Sequence, residues 1–231
     1  LVRHVGFSFH DTADVLDGIL KRHPETEFVQ LQINYADRDD EGVQSRLCYE
    51  TALSHGKSVL IMEPVKGGAL ATLNETARAP FERARPGMSN ASWAMRFAAS
   101  LPGVITVLSG MSTLAQMEDN IRTMSAFEPL TEADRKAIDE VKAVLSAIPT
   151  TPCTDCRYCV EKCPQNIPIP SVIQADNHRK VYGHVNRGHY RFVTNEKGKA
   201  SDCIACGVCE ERCPQHIGII SLMKECAEVF E

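Results

Sequence analysis

The chain has 231 residues, 43% hydrophobic and 24% charged, a composition that fits a folded globular protein and excludes disordered and collagen-like chains. Its formal charge of −5, from 25 basic and 30 acidic residues, gives no global drive towards nucleic acid or an anionic membrane. A mean hydropathy of −0.20, no run of about 18 apolar residues and no signal-type start argue against a membrane span or export and predict a cytoplasmic protein.

Along residues 1–126, short apolar runs alternate with amphipathic stretches. Val5–Phe9, Phe28–Ile33, Ser58–Met62 and Val104–Leu108 read as buried parallel strands. Between them the spacing predicts a helix over Thr12–Lys21 capped by Asp11, one over Glu41–His55 ending at Gly56, one from Ser89 or Asn90 to Leu101, and one starting at Thr113. Four βα units are half of a (β/α)8 barrel, which typically takes roughly 250 residues. An open half barrel leaves its edges and one apolar face bare, so the predicted fold is α/β, the C-terminal half of a larger TIM barrel.

Residues 127–149 read as a connector. An amphipathic helix over Glu128–Ile148 carries Leu130, Ile138, Val141 and Leu145 at helical spacing, with Thr131 as its cap and Asp134 three residues on. From residue 150 the composition shifts to cysteine, proline and short isoleucine motifs, among which regular periods are hard to sustain. Residues 150–231 are therefore a second, small domain.

Ten cysteines are many for a cytosolic chain, but eight of them stand in two tight groups, an arrangement of metal ligands rather than disulfides. Cys153, Cys156, Cys159 and Cys163-Pro164 repeat as Cys203, Cys206, Cys209 and Cys213-Pro214, the cysteine run of bacterial two-cluster ferredoxins. In that pattern three thiolates wrap one 4Fe-4S cubane and the fourth, beyond the turn, reaches the other cluster. The expected sets are thus Cys153, Cys156, Cys159 with Cys213, and Cys203, Cys206, Cys209 with Cys163, in an α+β di-cluster ferredoxin-like domain. Zinc sites also begin with Cys-x2-Cys, but zinc gives no reason for the third cysteine or the Cys-Pro. The parallel of Pro164–Ile169 with Pro214–Ile219 extends the duplication past the ligands. Cys48 and Cys226 lie in helical patterns and read as small buried hydrophobes.

Between the two motifs, residues 178–199 carry Arg179, Lys180, Arg187, Arg191, Lys197 and Lys199 against Glu196, interleaved with Tyr182, Tyr190 and Phe192. This one basic stretch reads as a solvated insertion or as a docking surface for an acidic redox partner protein. Nucleic acid is not an expected partner.

Four segments fall in order on the predicted strands: Arg3–Ser8, Phe28–Asn34, Glu63–Gly68 and Leu108–Ser112. They resemble the aldo/keto reductase barrel, and with the cysteine run the chain is similar to aldo/keto reductases that carry a C-terminal 4Fe-4S domain. The resemblance implies a nicotinamide nucleotide, NADP or NAD, with Ser8 and Gln30 on its carboxamide and Gly110, Met111, Ser112, Gln116, Asp119 and Asn120 around its adenosine and phosphates. It also implies a small-molecule carbonyl substrate. The family's catalytic Asp, Tyr, Lys and His would lie upstream of Leu1, so no catalytic residue is assigned in this stretch, and His10 is read as an ordinary loop histidine. Departures are Phe9 where many relatives have Asn, Met62 where they have an aromatic ring, and Gln116 where they have Arg. The expected function is an iron–sulfur oxidoreductase in which a nicotinamide site is coupled to two 4Fe-4S clusters. The alternative is a ferredoxin-type electron carrier with a non-catalytic barrel scaffold.

Overall fold

In a computed structural model, which describes residues 2–41, 43–153 and 155–231, the four apolar runs form one parallel sheet in the order β1-β2-β3-β4. The strands are β1 (Gly6–Phe9), β2 (Phe28–Gln32), β3 (Ser58–Met62) and β4 (Val104–Val107). Each lies within the predicted bounds or one residue of them. β2 and β3 alternate strictly, with Val29, Leu31, Val59 and Ile61 buried on one face and Phe28, Gln30, Leu60 and Met62 half-buried on the other. The chain divides into two compact units, Leu1–Val144 and Leu145–Glu231.

In the first unit, α1 (Ala13–Arg22) starts after Thr12, with Asp14 in its first turn and Lys21 and Arg22 in its last, each charge complementing the helix dipole. α2 (Ser45–Ser54) begins later than its amphipathic pattern suggests. Asn34 Oδ1 accepts from Ala36 N at 3.1 Å and Asp37 N at 2.9 Å, and Asp40 Oδ1 accepts from Val43 N at 2.9 Å. These local bonds offer the backbone an alternative to a helix.

α3 (Glu75–Ala84) is absent from the sequence reading because Pro80 lies inside it and Pro normally ends a helix. Packing outweighs that signal. Asn74 caps the helix through Ala77 N at 2.9 Å, and Phe81 stacks on Trp93 with ring centroids 4.3 Å apart. Trp93 belongs to α4 (Asn90–Ala99), which Ser89 caps as predicted, and α5 (Leu114–Ser125) starts from a full capping box between Thr113 and Gln116.

α6 (Glu132–Ser146) is held by the predicted pair: Thr131 Oγ1 accepts from Asp134 N at 3.2 Å, and Asp134 Oδ2 accepts from Thr131 N at 2.9 Å. The buried Asp134 also receives a two-pronged bond from Arg85, Nε to Oδ1 and Nη2 to Oδ2, both 2.7 Å. Arg85 is the chief reason that the Asp134 carboxyl lies at about 2 rather than 3.8. A carboxyl depressed in the folded state stabilises it above its unfolded pKa and loses that contribution as pH falls through the folded value. The shift corresponds to about 2 kcal/mol. Asp134→Asn is therefore expected to be about 2 kcal/mol less stable than the parent in urea at pH 7, the gap closing between pH 4 and pH 2. A gap that stays constant across that window would show that the charge of Asp134 contributes nothing.

The second unit is built from helices and turns. α7 (Ile169–Tyr182) and α10 (Ile219–Phe230) each follow a Cys-Pro turn, with the short α8 (Arg187–Val193) and α9 (Val208–Glu211) between them. Both long helices form where the sequence suggested broken periods, because their apolar sides, Ile169, Val172 and Ile173 on one and Ile219, Leu222 and Met223 on the other, share one core. Of the strands expected in an α+β domain, none is assigned among the described residues of this unit. Left-handed turns take their place. Positive φ recurs at Asp155 and Ala205, at Arg157 and Gly207, and at Asn166 and His216, each pair 50 residues apart. The duplication seen in the cysteines is thus also a duplication of backbone conformation.

Candidate functional site

The repeated turns give the two cysteine groups the same shape. Cys163 N bonds Val160 O and Asn166 N bonds Cys163 O, and the same bonds join Cys213 N to Glu210 O and His216 N to Cys213 O. In both groups the first and fourth cysteines are half-buried, the second is exposed and the third is buried. A cavity of about 320 Å³ is lined by Cys153, Cys156, Cys159 and Cys213, together with Ile173, Ile217 and Ile219. A second, of about 370 Å³, is lined by Cys163, Cys203, Cys206 and Cys209, with Ile167, Ile169 and Met223. Each cavity thus draws three cysteines from one motif and the fourth from the other.

Four sulfurs around an apolar space suit a cubane. Among the described residues no three His, Cys, Asp or Glu side chains gather as they would about a single ion. Burial pushes the Cys159 thiol up to about 11 and raises that of Cys209, so loading either cavity has to displace protons. Cys226 and Cys48 are buried as expected, the former with its thiol pushed up to about 12 by desolvation.

Residues outside the motifs hold the cysteine loops. Asn177 on α7 exchanges two bonds with the Thr151 backbone, at 2.7 and 2.8 Å, and so fixes the approach to Cys153. Glu210 Oε1 accepts from Ile220 N at 2.7 Å and ties the second motif to the start of α10. Gly198 N donates to Asn166 O at 3.2 Å, and a Cβ on Gly198 would lie 2.1 Å from Gln165 O. These positions are not legible in the sequence, because each bond joins residues at least ten apart in the chain.

In the first unit, Ser8 and Gln30 are registered neighbours on β1 and β2, near the strand ends where barrel active sites are built. Gln30 Nε2 donates to Met62 Sδ at 3.3 Å. A separate cleft gathers Gly110, Met111, Gln116, Asp119 and Asn120 with the Glu63–Gly68 loop. Ser8, Gln30 and Ser112 are not among its lining residues. Gln116 Oε1 accepts from Ser112 N at 2.7 Å and from Thr113 N at 3.1 Å, so the two amides just before α5 are already engaged. Asp119 Oδ2 accepts from Ser89 Oγ, and Asn120 Nδ2 donates to Ser109 Oγ at 2.8 Å. The charged residues lining the cleft are Glu63 and Asp119, with no Lys or Arg among them.

Beside it stands a group built on Asp37, to which the sequence analysis assigns no role. Lys66 Nζ lies 2.6 Å from both oxygens of Asp37, and Asn34 Nδ2 lies 3.1 Å from Asp37 Oδ2. Glu63 and Lys66 both have positive φ, which folds this loop tightly over the ends of β2 and β3.

The model of the aldo/keto reductase family matches residues 1–143, and that of the 4Fe-4S dicluster domain matches residues 152–217. No curated protein matches the chain. Among solved structures it is similar to the aldo-keto reductase AKR11C1 from Bacillus halodurans in its holo form, at 22% identity and TM-score 0.46 over 60% of this chain and 50% of that one. The apo form of the same protein gives 20% identity and TM-score 0.44, with 60% and 50% covered. An aldo-keto reductase from Klebsiella pneumoniae in complex with NADPH gives 16% identity and TM-score 0.46 over 61% and 48%. The chain spans about half the length of each of these relatives. No helix among the described residues is long and apolar enough to cross a membrane.

Proposed function

The chain belongs to the aldo/keto reductase family, and from that premise we propose that it serves an iron–sulfur oxidoreductase, with two 4Fe-4S clusters in its cysteine cavities and a nicotinamide nucleotide, NADP or NAD, at the barrel sheet. A 4Fe-4S dicluster domain follows the reductase stretch in the same chain. The observation that carries the proposal is the lining of the two cavities, three cysteines of one motif and one of the other in each, with isoleucines excluding water. When bound, the clusters pass single electrons while the nucleotide moves two as hydride.

The chain's own residues bind and orient. Ser8 and Gln30, side by side, would hold the nicotinamide carboxamide, and Asp119 and Asn120 would face the adenosine. A small-molecule carbonyl compound is the substrate class, and a reducing cytosol is the compartment in which the thiols stay free to act as ligands. A second reading, an electron carrier whose barrel is a non-catalytic scaffold, is favoured by the cleft at α5, whose lining offers two carboxylates and two amide side chains but no cation to a phosphate.

Protein purified without oxygen is expected to be brown and to contain about eight irons and eight acid-labile sulfides; stoichiometric zinc without sulfide would refute the cluster assignment. Fluorescence titration of the same preparation with NADPH and NADH separates the two readings: saturable binding supports the oxidoreductase, and no binding leaves the carrier.

A further inference from the structure

We propose that the basic face formed by Arg187, Arg191, Phe192, Lys197 and Lys199 docks a small acidic protein that carries one electron at a time, and that it does so at the wall of the cavity lined by Cys163, Cys203, Cys206 and Cys209. The proposal rests on the cluster reading above.

Two of the six cations between residues 178 and 199 are committed inwards. Arg179 and Lys180 each pair with the buried Asp176 at 2.7 Å. The other four are exposed, and among the described residues Arg191 and Lys197 enter no ion pair. Arg187 Nη2 donates to Val229 O at 3.0 Å, which keeps its positive charge on the surface. The acids nearby are Glu196, which is exposed, Asp202, whose carboxylate accepts from Lys199 N at 2.7 Å, and Glu231, whose carboxylate is turned onto the Tyr190 hydroxyl and Ser201. Next to Arg191 stands Phe192, with 78% of its surface exposed. An exposed aromatic ring in a segment rich in cations has the composition of a protein interface rather than of an ordinary solvated loop.

The face is rigid. Tyr190 stacks on Phe230 with centroids 5.0 Å apart, its hydroxyl accepts from Ala200 N at 2.8 Å, and Asn186 caps α8 through His189 N at 2.9 Å. A partner therefore meets a preformed surface and has little ordering to do on binding. The face also touches the cavity. Gly198, between Lys197 and Lys199, packs on Gln165, which lines the cavity with Ile167, and the turn Ala200–Asp202 leads directly into Cys203. A small acidic protein meets only this patch, whereas a long polyanion also meets the net charge of −5 of the chain. In each encounter the reduced carrier loses one electron and the group held by that cavity gains it; no bond forms or breaks.

The test uses the full chain, with its clusters verified by visible absorbance, and dithionite-reduced flavodoxin as the acidic one-electron probe in a stopped-flow mixer. The double variant Arg191→Glu/Lys197→Glu is expected to lower the second-order rate about tenfold or more at low ionic strength and to flatten its salt dependence. Phe192→Ala should weaken binding severalfold in titration calorimetry without changing the salt slope. Arg135→Glu/Lys136→Glu, an equal charge change at two exposed positions of α6, should change neither quantity. Rates and salt slopes of the Arg191→Glu/Lys197→Glu variant equal to those of Arg135→Glu/Lys136→Glu overturn the proposal, as does a single-stranded oligonucleotide that binds the patch more tightly than flavodoxin. A colourless preparation refutes the cluster reading instead, and calorimetry on that preparation still decides whether the patch docks the probe.

Discussion

Cys163→Ser is expected to empty the cavity of Cys203, Cys206 and Cys209, the three cysteines farther from it in sequence, and to leave Cys153, Cys156 and Cys159 with all four of their ligands. The expectation follows from the cavity linings, in which Cys163 stands with the second motif and Cys213 with the first. Proline after each of these cysteines turns the chain away from its own group. Iron content should fall from about eight to about four per chain, and the paramagnetic resonance of the reduced protein should lose the signal that Cys206→Ala also removes. Cys213→Ser should remove the signal that Cys156→Ala removes. Because each crossed cysteine also staples the two halves of the unit across residues 164–202, either change should lower its thermal midpoint as well. If Cys163→Ser instead removes the signal of the Cys156 group, the two motifs are independent and the crossed assignment fails.

Gly198→Ala should be the most damaging substitution in this unit that touches no ligand. The added Cβ would meet Gln165 O at 2.1 Å, Ile167 Cγ1 at 3.0 Å and the Gln165 carbonyl carbon at 3.1 Å, and two of these three atoms are backbone. Backbone cannot swing aside as a flexible side chain can, so the wall of the second cavity has to move. A forced shift of this kind costs about 3 kcal/mol or more, roughly 10 °C or more in the melting temperature of a unit this small. Gly183→Ala is the matched comparison: that glycine has φ +69° and nothing within 4 Å of an added Cβ, so only backbone strain of about 1 kcal/mol is expected. Equal melting temperatures for the two variants would show that the close approach at Gly198 does not exist in solution.

The features legible in advance were those written in contiguous residues. The strands were readable because each is a short apolar run bounded by polar residues, and the caps at Thr113 and Thr131 because a capping box is a four-residue signal. The two repeated cysteine groups were readable from their spacing. α3 was not, because the stacking of Phe81 on Trp93 that outweighs Pro80 joins two helices. α7 and α10 were hidden for the same reason, since each is supported by the apolar side of the other. At the barrel sheet the expected nucleotide residues divide between the cleft at α5 and the Ser8–Gln30 pair, a separation that sequence order does not reveal. The engagement of the Ser112 and Thr113 amides by Gln116 was equally invisible, because a glutamine at that position reads alike whether its side chain points outward or back onto the turn.

The duplicated turns share their left-handed positions but not the residues that occupy them. Where the second motif has Gly207 at φ +81°, the first has Arg157 at φ +65°, in a region that glycine enters freely and a residue with a Cβ does not. Asp155, itself at φ +51°, clasps the Arg157 guanidinium with two contacts of 3.2 Å and holds the turn in place. The first motif and its following turn therefore hold three residues with a Cβ at positive φ, Asp155, Arg157 and Asn166, where the second holds two, Ala205 and His216, beside its glycine. That difference gives assembly a direction: the Cys203–Cys213 loop reaches its bound shape with one strained residue fewer and is ready to fill first, whereas the Cys153–Cys163 loop has more strain to take up. When the contents are lost, it is the first loop that has more energy to release by opening.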